Sequence, residues 1–169
     1  AVQNAENTSE DSQLIANGVS VVSDELINVM VEEVSKVSID DKQTLSAKVL
    51  QAMGDTEPDK MEIISNNVRD MMIQQTVESA KNQQEGTFIE EENLADVVAS
   101  IIVNTNAEIA TQFIEEVNDI ETETNLSLKV ISSISEKDSG RIDILSEFNK
   151  EQMDQLTIDA VQNAENTSE

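Results

Sequence analysis

Histidine, cysteine, tryptophan and tyrosine are all missing from this 169-residue chain, and phenylalanine occurs only three times. Without imidazole or thiol there is no Ser-His-Asp or Cys-His engine, no haem ligand and no thiolate-type zinc site. Without cysteine, no disulfide framework marks an oxidising compartment. Basic residues are scarce as well: ten Lys and Arg stand against 35 Asp and Glu, a formal charge of -25 at pH 7. That surplus repels phosphate backbones and anionic bilayers, which argues against nucleic-acid binding through a basic patch and against adhesion to a lipid surface. Long apolar runs are also lacking. The most apolar patch, Val97 to Val103, is interrupted by Ser100 and falls far short of the roughly 20 residues needed to cross a bilayer. The chemistry left open involves cations and cationic partners, including diffuse cations, and no cofactor.

What is present is a hydrophobic fraction of 38%, rich in Ile, Val and Leu, enough for a packed core where a disordered acidic tail would be poorer in aliphatics. With so few aromatics the core must be aliphatic and filled by Met, which suits helix packing better than an aromatic sandwich.

Repetition is the most informative feature. Ala1 to Glu10 reads AVQNAENTSE, and Ala160 to Glu169 reads AVQNAENTSE again, ten identities out of ten at a spacing of 159 residues. The simplest reading is a longer polypeptide that repeats nearly verbatim, with the last ten residues opening the next copy. The absence of an initiator Met is expected on that reading. An older periodicity lies inside the first. Glu32-Glu33-Val34 returns as Glu115-Glu116-Val117, and Leu45-Ser46-x-Lys48-Val49 as Leu126-Ser127-x-Lys129-Val130. Lys60-Met61-Glu62-Ile63-Ile64-Ser65 returns as Arg141-Ile142-Asp143-Ile144-Leu145-Ser146, and Thr76-Val77-Glu78-Ser79-Ala80 parallels Ala1-Val2-Gln3-Asn4-Ala5.

Apolar residues recur at three and four rather than two, so each half reads as a set of helices followed by a long one. Ser23 is an N-cap before Leu26, Ile27, Met30, Val31 and Val34; Ser38 to Asp41 looks like the next cap, with Gly54 as a stop. Thr56-Glu57-Pro58 opens a long helix over about 57–81 with proline in its first turn. In the second half, Thr87 to Glu90 fits a capping box, followed by helices near 106–120, 124–135 and a long one over 140–165. The expected fold is therefore all-α, a tandem helical repeat of two homologous multi-helix units each ending in a long helix. The units are 9–81 and 88–166, with 82–87 as linker, 1–8 as the frayed tail of the preceding copy's last helix and 167–169 as the start of the next linker.

Candidate sites are few. Paired carboxylates such as Asp40-Asp41 and Glu115-Glu116 can serve as acid and base or as hard-cation ligands, but the plainer reading is a solvated acidic face. Asp138-Ser139-Gly140 has the glycine of a calcium loop without its preceding oxygen ligands. The tripeptides at Asn7, Asn125 and Asn166 match a glycosylation pattern too short to carry weight, and the six Met sit at helical spacing as core filler. From 82 to 128 there is no Lys or Arg. There Glu90, Glu91, Glu92, Asp96, Glu108, Glu115 and Glu116 form a candidate docking face for a basic partner.

Near-identical long repeats, acidity, lack of Cys and abundant Ser, Thr and Asn together resemble the stalk regions of very large bacterial cell-surface or secreted adhesin-type proteins. The resemblance implies a spacer whose function depends on length, a cell-surface or extracellular location, and adjacent copies of the same repeat as partners. Most stalk repeats of that class are β-sandwiches rich in calcium-binding Asp, and this chain departs on both points. The expectation is a non-enzymatic structural module of a filament or stalk, with no membrane insertion. The alternative is a helical scaffold, cytoplasmic or outside the cell, that binds a cationic protein through its acidic face.

Overall fold

The computed structural model describes residues 9–37, 45–84, 93–120 and 125–164. Among the described residues the chain is all-α, with nine α-helices, one 3-10 turn and no strand. Its single Pro, Pro58, opens the 3-10 turn, so no described helix is interrupted by proline. Two compact units divide the chain, Ala1–Thr76 and Val77–Glu169.

The first unit comprises α1 (Ser9–Val21), α2 (Asp24–Val37), α3 (Leu45–Thr56), the 3-10 turn (Pro58–Glu62) and the first half of α4 (Asn66–Gln84). α2 starts where Ser23 Oγ accepts from the Leu26 N–H at 3.4 Å, with Asp24 and Glu25 in the first turn, where negative charge is favoured by the helix dipole. α3 packs against α1, α2 and the 3-10 turn, and burial of Ile15, Val19, Ile27, Val31, Val34, Val49, Leu50 and Met53 forms the core. Each such side chain contributes roughly 1.5–3 kcal/mol. Gln75 fastens α4 to both neighbours: its Nε2 donates to the Ser35 carbonyl at 2.7 Å, and its Oε1 accepts from Ser46 Oγ at 2.6 Å.

The second unit contains the end of α4 and then α5 (Leu94–Asn104), α6 (Ala107–Ile120), α7 (Leu126–Lys137), α8 (Arg141–Phe148) and α9 (Lys150–Ala164). α5 is its centre. Leu94, Ala95, Val97, Val98, Ala99, Ile101 and Ile102 are all fully buried, because α6 and α7 both pack on this helix. Asn93 Oδ1 caps it by accepting from the Ala95 N–H at 3.1 Å, and the Leu94 N–H donates to Gln83 Oε1 at 2.8 Å. α9 packs on α6, α7 and α8. No described helix is long and apolar enough to cross a membrane.

Several expectations from the sequence are corrected. The long helix over 57–81 is broken at 63–65, because side chains satisfy backbone groups that a continuous helix would pair internally. The Ser65 N–H donates to Asn28 Oδ1 at 2.7 Å, and Asn28 Nδ2 donates to the Ile63 carbonyl at 3.2 Å. Arg69 donates to the carbonyls of Met61 at 3.2 Å and Ile64 at 3.1 Å. The long helix over 140–165 is likewise split at Asn149, whose Oδ1 accepts from the Gln152 N–H at 3.3 Å and opens α9. Gly54 is no stop: it lies buried inside α3, which runs to Thr56, where Thr56 Oγ1 donates to the Ala52 carbonyl. Residues 82–84 of the expected linker belong to the last turn of α4. The rest of that linker, the caps at Ser38–Asp41 and Thr87–Glu90, and the segments 1–8 and 167–169 lie outside the described residues.

Candidate functional site

Of the residues expected to form an acidic face, Asp96 lies on α5 and Glu108, Glu115 and Glu116 on α6. α6 turns Ile109, Ala110, Phe113, Ile114 and Val117 into the core, so its charged residues take the remaining side. Glu108, Glu115 and Asp119, spaced seven and four residues apart, follow one side of the helix. Glu108 and Asp119 are exposed, whereas Glu115 and Glu116 are half-buried. Asp96 is exposed in the first turn of α5, and Glu90, Glu91 and Glu92 lie outside the described residues.

At its C-terminal end this side of α6 meets α9 in a cleft of about 340 Å³ lined by Asn118, Asp119, Glu151, Gln152, Gln155 and Asp159. The cleft walls are joined by Asn118, whose Nδ2 donates to the Gln152 carbonyl at 3.1 Å and to Gln152 Oε1 at 2.7 Å. Gln155 Nε2 donates to Asp159 Oδ1 at 2.9 Å, one turn apart on α9. Composition did not point to Glu151 and Asp159, because the stretch free of basic residues ends before α9. Only the packing of α9 on α6 brings them beside Asp119. This lining offers carboxylate and amide oxygens to a cation. Among the described residues no group of three or more carboxylates is arranged to hold a metal ion.

Both Arg residues of the chain are spent on backbone carbonyls. Arg69 is buried and adds a bond to Asn66 Oδ1 at 2.9 Å. Arg141 donates through Nε to the Ile102 carbonyl at 3.2 Å and through its terminal nitrogen to the Thr105 carbonyl, closing the C-terminal end of α5, where a cation is favoured. Burial lowers the pKa of this guanidinium, and the charge of Asp138 opposes the shift. Met53, Met61, Met72 and Met153 are buried in the two cores, while Met71 is 42% exposed.

No protein-family model, curated protein or solved structure matches the chain.

Proposed function

We propose that the chain is a non-enzymatic spacer module of a long, acidic, tandem-repeat stalk or filament protein, built from two homologous helical units per copy. The observation that carries this reading is the decapeptide AVQNAENTSE, present at both Ala1–Glu10 and Ala160–Glu169. The helix boundaries support the older duplication. α2 and α6 are both 14 residues long and start after the equivalent caps Ser23 and Asn106, the latter accepting from the Ile109 N–H at 2.8 Å. α3 and α7 are both 12 residues long. Val34 and Val117 are fully buried, as are Val49 and Val130.

The third expected pair differs, since Ile63 is half-buried and Ile144 is 51% exposed. The physical reason is local. Ile63 lies just past the end of the five-residue 3-10 turn, whereas Ile144 lies inside the eight-residue α8, so the two side chains leave different local backbones. Beyond this point, Arg69, Met72, Thr76 and Ser79 of α4 correspond to Met153, Leu156, Ala160 and Asn163 of α9, all buried.

A role that depends on length favours an extracellular or cell-surface stalk of adhesin type, with neighbouring copies as the main partners and each unit contacting mainly the next. Small-angle scattering on chains of one, two and three 159-residue copies tests the reading: the maximum dimension should grow nearly in proportion to copy number. Growth closer to the cube root would mean the copies collapse together.

One observation favours a second reading, a repetitive scaffold for a cationic protein: the carboxylates of α6 continue into the cleft with Glu151 and Asp159. Salt-sensitive capture of a basic protein, lost on Glu115→Lys with Glu116→Lys, would favour it.

A further inference from the structure

α9 leaves Val161 uncovered, and the counterpart of that residue in the same chain is buried. Val77 corresponds to Val161, since Thr76–Ala80 aligns with the pentapeptide found at Ala1–Ala5 and again at Ala160–Ala164. Val77 has no exposed surface, whereas Val161 is 67% exposed. Beside Val161 on α9 stands Ile158, 47% exposed, where α4 carries Gln74, polar and also exposed; here the apolar residue is peculiar to α9. The first helices of the two units show the same asymmetry. Leu14 of α1 is 62% exposed, while its counterpart Val97 of α5 is fully buried.

The two buried members, Val77 and Val97, share a compact unit in which the end of α4 is tied to the start of α5 by the Gln83–Leu94 hydrogen bond. α4 therefore ends inside the unit that follows it in sequence. The two exposed members, Val161 and Leu14, lie on the helices that become consecutive when one copy follows another, because residues 160–169 are also residues 1–10 of the next copy.

We infer that the end of α9 docks on α1 of the following copy, burying Val161 and Ile158 of one copy against Leu14 of the next. The occupant is the next copy of this same chain, in the same polypeptide. This inference rests on the tandem-array reading above and adds to it a rigid joint between copies, which a stalk requires and a string of independent beads lacks.

A chain of two consecutive copies tests it by thermal melting followed by circular dichroism. Val161→Asp in the first copy, or Leu14→Asp in the second, should each lower the melting temperature by about 2 °C or more. The double variant should be no worse than the worse single one, as for residues in direct contact. In the 169-residue chain both positions are exposed, so the same variants should shift melting by less than about 1 °C, which separates loss of the joint from loss of the fold. Equal effects in one-copy and two-copy chains, or strictly additive ones, would overturn the joint and leave the spacer reading standing as flexibly linked beads. A concentration-dependent dimer of the 169-residue chain that is abolished by Val161→Asp would also overturn it, assigning the patch to an interface between separate molecules. A parent sequence without further copies would overturn the array reading, and the melting result would be unaffected.

Discussion

Asn28 in α2 and Thr111 in α6 are each the fifth residue of a 14-residue helix, and the units around them end differently. In the first unit Asn28 exchanges two hydrogen bonds with the chain at Ile63 and Ser65, and the helix breaks there. In the second, Thr111 Oγ1 is buried without a hydrogen-bond partner. α8 continues past that point to Phe148, and the fastening shifts to Asn118 and Gln152. A side-chain amide can pair with both an N–H and a carbonyl of a passing loop, which a hydroxyl on a shorter stem does not reach. The comparison teaches that apolar stripes fix which helices pack, while single polar residues fix where a helix is interrupted.

The largest test of this contrast is Arg69→Met. It removes the donor to the Met61 and Ile64 carbonyls and should cost about 3 kcal/mol in denaturant unfolding, because buried acceptors lose a charged partner. Lys150→Met, near the start of α9, breaks only an exposed pair with Asp154 and should stay within about 0.5 kcal/mol. Similar costs at both positions would show that Arg69 does not hold the break.

Asn28→Ala should cost about 2 kcal/mol, since two backbone groups of the 63–65 segment lose their partners. Thr111→Val, at the equivalent position, should be neutral or stabilising by up to about 1 kcal/mol, because it removes a buried hydroxyl that makes no bond. Destabilisation of both to the same extent would contradict the division of roles.

Effects smaller than those at Arg69 and Asn28, and equal to each other, are expected where the units agree. Ser23→Ala and Asn106→Ala each remove one N-cap bond and should each cost about 1 kcal/mol. Costs that differ by more than about 1 kcal/mol would mean the caps are not equivalent despite their shared register.

Helical periodicity and the burial of Val34, Val49, Val117 and Val130 were legible in the amino-acid sequence, because each follows from local spacing. The acidic side of α6 was legible for the same reason: its core residues and its carboxylates alternate with the helical turn. The cleft with Glu151 and Asp159 was not, since it depends on α9 folding back on α6. The breaks at 63–65 and at Asn149 were equally hidden, because local propensity favours a continuous helix in both places. In the first, the deciding bonds come from Asn28, 35 to 37 residues earlier in the chain; in the second, Asn149 itself caps α9, and Asn118, 34 residues from Gln152, then holds that helix in place. Local spacing thus determined that the chain is helical. Tertiary packing decided the break at 63–65 and which carboxylates face one another, since both depend on groups distant in sequence whose hydrogen bonds and contacts exist only once the units are closed.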